Sequence, residues 1–168
     1  MQDELASQEQ AVSFDLAASS KGYSPKKNRG SKYQNVSHIL KAKGKSGKPI
    51  YLRFDVKKSK NKKQNEDWLW IEFKNAQGES GWVHGDAHFV AFQRHEDFII
   101  VNRKELVEWL GSSSKIRYDL PFVNLAKRAK YRIYQRNSKH EQITQIHIND
   151  LKQLKSFQLW KKKDAISA

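Results

Sequence analysis

Apolar and polar positions alternate along residues 49–57 (PIYLRFDVK), where Ile50, Leu52, Phe54 and Val56 are interleaved with Tyr51, Arg53, Asp55 and Lys57. A period of two buries one face of a strand and leaves the other to water. Residues 67–75 (DWLWIEFKN) repeat the pattern, with Leu69, Ile71 and Phe73 on one side and Trp68, Trp70, Glu72 and Lys74 on the other. A further strand-like segment spans 36–42, and the links KGKSGK and KSKNKKQNE have the composition of hairpin connections. The pattern predicts a three-strand meander in which 49–57 and 67–75 are antiparallel neighbours. A turn centred near residue 62 would then bring Asp55 beside the Trp70–Glu72 end of its partner.

Helical spacing replaces alternation at residues 2–20, where Leu5, Val12 and Leu16 form a stripe that also contains Glu9. Residues 22–32 (GYSPKKNRGSK) read as a polar loop full of breakers. Strands are predicted at 87–93 and 98–102, and a helix from near Lys104 that ends at Gly111. The remainder offers a helical piece around 121–128, a strand pair (YRIYQR and QITQIHI) and a last helix near 149–160. No internal repeat is present. The fold class expected is α/β (α+β), a mixed β-sheet flanked by helices with a small C-terminal α/β extension. The 168 residues suit one domain, with a core over 5–111, a basic extension over 112–160 and a short tail at 161–168.

Charge changes this picture more than composition does. Against 18 acids the chain carries 32 Lys and Arg, a net charge of +14, and the excess is unevenly placed. From Lys41 to Lys63 there are ten basic residues and one acid, Asp55. These include Lys41, Lys43, Lys45, Lys48, Lys58, Lys60, Lys62 and Lys63, and a second cluster is Lys127, Arg128, Lys130, Arg132 and Arg136. Such clusters attract polyanions, DNA foremost; a solubility role or an acidic protein partner is the alternative. With no cysteine, disulfides and Cys-based zinc sites are excluded. The N-terminal segment lacks the basic-then-apolar pattern of a signal peptide, and no apolar run is long enough to span a bilayer, so a soluble cytoplasmic protein is expected.

The predicted meander would gather Asp55, Lys57, Glu72 and Lys74 on one patch of sheet. Two carboxylates can supply hard oxygen ligands to Mg²⁺, with waters and a phosphate oxygen completing the shell. A lysine two residues along the strand could orient a water or attract the phosphate. Ordinary cross-strand ion pairs are the plainer alternative. His84, Asp86 and His88 make an H-x-D-x-H pattern of the kind a transition metal uses, although its spread over a Gly-rich loop favours coincidence. Trp68 and Trp70 could stack on bases or cap a small core, and Trp82 after a glycine favours packing. No P-loop, dinucleotide fingerprint or Ser-His-Asp order is present.

The order of elements, with Glu9, Asp55 and Glu72-Phe73-Lys74, resembles the PD-(D/E)XK, or restriction-endonuclease-like, nuclease superfamily. A closer likeness is to its small phage and prophage members, through "SHIL", "FDVK", "WLWIEFKN", "GWVHG", "AHFVAFQ" and "YRIYQR…ITQIHINDL" across roughly residues 5–155. The resemblance implies a phage-encoded, metal-dependent DNA endonuclease. Asp55 and Glu72 would bind Mg²⁺ or Mn²⁺, Lys57 or Lys74 would position water, and Glu9 would support the site. DNA, a second copy of the chain and a host protein are the partners it implies, in the host cytoplasm. Two departures stand out: Leu40 and Ala87-His88 replace a His-Ile-Asp and an Ala-Asp of those relatives. If the metal pair is the first-strand Asp of those relatives plus Asp55-x-Lys57, half of it is missing because Leu40 stands in its place; if it is Asp55 plus Glu72-x-Lys74, it is complete. The alternative function is a nuclease-fold protein that binds DNA or a host protein without cutting.

Overall fold

The structure, a computed structural model, describes Glu4 and residues 11–58 and 66–166. Of the predicted site residues, Glu9, Lys60, Lys62 and Lys63 lie outside the described residues. In chain order the elements are α1 (Phe14–Ser20), β1 (Ser24–Lys27), β2 (His38–Lys43), β3 (Pro49–Lys58), β4 (Trp68–Lys74), β5 (Phe89–Gln93), β6 (Asp97–Asn102), α2 (Arg103–Ser112), β7 (Gln142–His147), α3 (Ile148–Lys152), β8 (Gln158–Lys161) and α4 (Lys162–Ile166). Short 3-10 turns occupy Trp82–His84 and Ala126–Arg128. This is a mixed α/β protein whose sheets are mostly antiparallel and flanked by helices. No helix among the described residues is long and apolar enough to cross a membrane.

The chain divides into two compact units, and the division interleaves in sequence instead of following a core-then-extension order. The first comprises Met1–Lys62, Asp86–Asn102 and Ser156–Ala168; the second comprises Lys63–Gly85 and Arg103–Lys155.

In the first unit a six-stranded sheet runs β1-β2-β3-β5-β6-β8. All its pairings are antiparallel except β3 with β5, which is parallel. The sequence of β1 reads as loop because Pro25 and the polar run around it look like breakers. At an edge, however, a proline's missing N–H costs no ladder bond, and Pro25 pairs opposite Leu40 there. Ser13 caps α1 by accepting the Leu16 N–H. That start point sets which face is buried: Phe14, Ala17 and Ala18 turn inward, and Leu16 is 47% exposed, not part of an inward stripe. The core on this side of the sheet joins Phe14 to Leu40, Phe54, Phe98 and Trp160. Phe14 stacks on Trp160 with ring centres 5.8 Å apart.

The second unit pairs β4 with β7 as a two-stranded antiparallel sheet. The predicted β3–β4 neighbourhood therefore does not form: the partners of β3 are β2 and β5. The observed meander is β1-β2-β3, one strand earlier in the chain than expected. Alternation fixes which residues of a strand are buried but not which strand lies alongside, and Leu69 and Ile71 find their apolar complement in Ile146 of β7. α2 passes through Gly111 to Ser112 instead of ending there. The region around 121–128 is extended chain and a 3-10 turn, not a helix, and the predicted last helix is split into α3 and β8, with α4 beyond it.

Candidate nucleic-acid interface

Even-numbered positions of β2 and β3 face α1. His38 lies 3.3 Å from the Asp15 carboxylate of that helix, and Leu40 and Phe54 share the cluster of Phe14. By alternation Arg53, Asp55 and Lys57 face the other way. Asp55 is 4% exposed, and its Oδ2 is 3.0 Å from Lys57 Nζ. The acid-x-Lys triplet on β3 is thus an ion pair within one strand. Leu40 is completely buried on the opposite face of the sheet. A carboxylate at that position would sit in the apolar layer under α1 and not beside Asp55. Position 40 is a core position here.

Glu72 lies in the other sheet. Its Oε1 accepts the Trp82 N–H at 3.3 Å. A register shift falls between Glu72 and Lys74, which pair opposite Ile143 and Gln142, adjacent residues of β7. Phe73 is the extra residue of this bulge. Strict alternation is broken there, so Glu72 and Lys74 are not the simple same-face pair the pattern predicts. Phe73 itself is half-buried, its ring 5.9 Å from Tyr118. The four charged residues of the predicted patch are therefore distributed over two sheets, Asp55 and Lys57 in one and Glu72 and Lys74 in the other. Among the described residues no group of three or more histidine, aspartate or glutamate side chains is arranged to hold a metal. A single carboxylate already ion-paired to a lysine is a poor fit to Mg²⁺, which takes six oxygen ligands in a near-ideal octahedron.

The H-x-D-x-H residues are engaged locally. Asp86 accepts the Gln34 N–H at 2.7 Å, and its carbonyl accepts Arg53 Nε at 2.8 Å. His88 Nδ1 accepts the Arg53 N–H at 2.9 Å. Arg53 in turn lies over the Tyr33 ring, 4.5 Å from its centre. These contacts fasten the 33–37 segment to the start of β5.

An open groove of the first unit lies along β1 and β2. This groove of ≈ 1090 Å³ is lined by Lys26, Lys27, Arg29, Lys41 and Tyr51, among others, with Asp15 as its one acid. None of these four cations has a carboxylate partner among the described residues. Tyr51 is 58% exposed. Only Lys41 was singled out by charge density. The others sit in PKKNR, a five-residue run with three cations, whose sequence reads as loop; the signal was present but divided by an unrecognised edge strand. Lys43, Lys45, Lys48 and Lys58 are exposed on β2, β3 and their hairpin and do not line the groove.

In the second unit the tryptophans are packed. The Trp68 ring meets Tyr131 at 5.3 Å and His147 at 5.1 Å, and Lys130 Nζ lies 4.6 Å over its face. Trp70 packs against Tyr134. Both rings are half-buried. A cluster that sequence reading missed organises the C-terminal part of this unit. Asp150, 1% exposed, takes the Tyr131 hydroxyl at 2.6 Å and Lys115 Nζ at 2.5 Å. Burial, reinforced by the hydrogen bond to Asp150, pushes the Tyr131 phenol up to about 12. The Arg136 guanidinium forks onto the buried Glu141, holding that carboxyl below its ordinary value, chiefly through the side-chain hydrogen bond. Arg136 is therefore spent on a structural pair and Arg132 lends charge to Asp119, whereas Lys127, Arg128 and Lys130 have no acid partner among the described residues.

No family model, no curated protein and no solved structure matches the chain.

Proposed function

We propose that the protein binds a nucleic-acid backbone on a restriction-endonuclease-like scaffold, with the groove along β1 and β2 as its principal contact. The observation that carries this reading is the lining of that groove: four unneutralised cations and a half-exposed tyrosine around one acid. Phosphate binding is dominated by such cations, because each phosphate they neutralise releases condensed counterions. The scaffold reading rests on a helix followed by an antiparallel three-strand meander with an acid-x-Lys triplet on its third strand, Asp55-Val56-Lys57.

A second reading, a metal-dependent DNA endonuclease, is favoured by that same triplet. Its difficulty is the donor set: Asp55 is ion-paired to Lys57, and β2 (HILKAK) carries no acid to accompany it. One experiment tests both. Binding to a labelled duplex is expected to weaken at least tenfold in the Lys26→Ala/Lys27→Ala/Arg29→Ala variant, and supercoiled plasmid is expected to stay intact in Mg²⁺ or Mn²⁺. Nicking that Asp55→Asn abolishes would establish the second reading. An unaltered affinity in the triple variant would remove the groove from the first.

A further inference from the structure

The geometry points to a second contact, on the loop 121–128 of the second unit, that takes unpaired bases: single-stranded DNA or RNA lies across Phe122 and Leu125 while Lys127 and Arg128 hold its phosphates. This rests on the nucleic-acid reading and adds the strand form that the protein prefers.

The loop is held in shape. The Val123 N–H donates to the Ile133 carbonyl at 2.9 Å, and the Val123 carbonyl accepts the Gln135 N–H at 3.0 Å. Arg132 Nη2 donates to the Pro121 carbonyl at 2.8 Å. Two extended segments thus run side by side, bridged at Val123 and Tyr134, and the 3-10 turn Ala126–Arg128 links them. On this frame Phe122 is 49% exposed and Leu125 44%, an unusual cost for two large apolar side chains within four residues. Beside them Lys127 and Arg128 are exposed and lack an acid partner among the described residues.

A fixed apolar surface next to free cations is the arrangement that single strands exploit. Stacking on an aromatic ring depends little on sequence, since every base has a π-face, while the cations track the backbone. A duplex cannot use the ring, because its bases are already stacked on each other. An apolar protein partner would use Phe122 and Leu125 but has no need of the two cations, and an acidic one would reverse those demands. A polyanion with exposed apolar faces uses all four side chains at once.

The test is fluorescence anisotropy of the full chain with labelled oligo-dT and, separately, a labelled duplex of mixed sequence. Phe122→Ala/Leu125→Ala is expected to weaken oligo-dT binding by about tenfold or more, the scale of one lost base–aromatic stack. Its duplex affinity should stay within about twofold of the parent's. Phe122→Trp should retain oligo-dT binding, and an unchanged urea midpoint would show that the alanine variant is folded. A double-alanine variant that binds oligo-dT as the parent does would overturn the proposal and leave the loop to a protein partner. A parent that binds duplex but not oligo-dT overturns this inference alone. A parent that binds neither overturns the nucleic-acid reading with it.

Discussion

His38 shows how one side chain can report on the packing of the first unit. Its Nδ1 lies 2.8 Å from the Ser37 hydroxyl, its Nε2 lies 3.3 Å from Asp15, and the Phe14 ring meets it edge-on at 5.0 Å. Burial lowers its pKa below 6.5, against the pull of Asp15 and with help from Lys27 and Lys58. A neutral imidazole suits this half-buried setting, its Nδ1 paired with the serine hydroxyl. The sign of the pH effect follows. Above 6.5 both folded and unfolded chains hold a neutral ring, so this group imposes no proton-linked penalty. As pH falls through that value the unfolded chain takes up a proton that the folded chain resists, and stability drops until the lowered folded pKa is passed. Urea unfolding between pH 8 and 5 is expected to show this loss in the parent and a shallower one in His38→Gln. Parallel curves for the two proteins would mean that His38 titrates as it does in the unfolded chain.

At the scale of elements, Gly81 joins β4 to the turn that follows it. Its N–H donates to the Phe73 carbonyl at 2.8 Å, and its backbone lies against Glu72. The angle φ is −77°, which any residue can adopt, so only space demands glycine here. A Cβ would meet the Glu72 carbonyl carbon at 2.7 Å and the Glu72 Cγ at 2.8 Å. Backbone cannot rotate aside as a side chain can. Gly81→Ala is therefore expected to destabilise the protein by about 1–3 kcal/mol, read from the urea midpoint; a change within experimental error would show that the turn yields freely. The same strand marks the limit of sequence reading. Leu69 and Ile71 were legible as the inward face of β4 because period two leaves no other choice, and β3 was placed to within a residue for the same reason. The bulge at Phe73 was not legible, since one inserted residue leaves the composition of the strand unchanged. Nor was the partner of β4: pairing is decided by which apolar faces meet in space, so Asp55 and Glu72 were assigned to a common patch that requires a pairing the chain does not make. The cations of the groove were visible as residues but not as a site, because β1 reads as loop until Pro25 is seen at a sheet edge.

For the whole molecule the question is whether a net charge of +14 acts as a diffuse cloud or through a place. Both would bind DNA, and both would weaken with salt, so affinity alone cannot separate them. The dependence on salt can. Each phosphate neutralised at a defined contact contributes about 0.9 to the slope of log K against log salt on duplex DNA. Replacing Lys26, Lys27 and Arg29 by alanine removes three groove cations and is expected to reduce that slope by roughly 2–3. Replacing Lys43, Lys45 and Lys48, which are exposed on the β2–β3 hairpin outside the groove, removes the same formal charge. A diffuse field would respond equally to the two triple variants, because at physiological salt it senses charge within a Debye length of about 8 Å wherever that charge lies. A localised site would leave the hairpin variant with nearly the parent's slope. Titrations of duplex binding between 50 and 200 mM salt, for the parent and both variants, decide the matter: unequal slopes place the backbone in the groove, and equal ones dissolve the groove into the general charge of the chain.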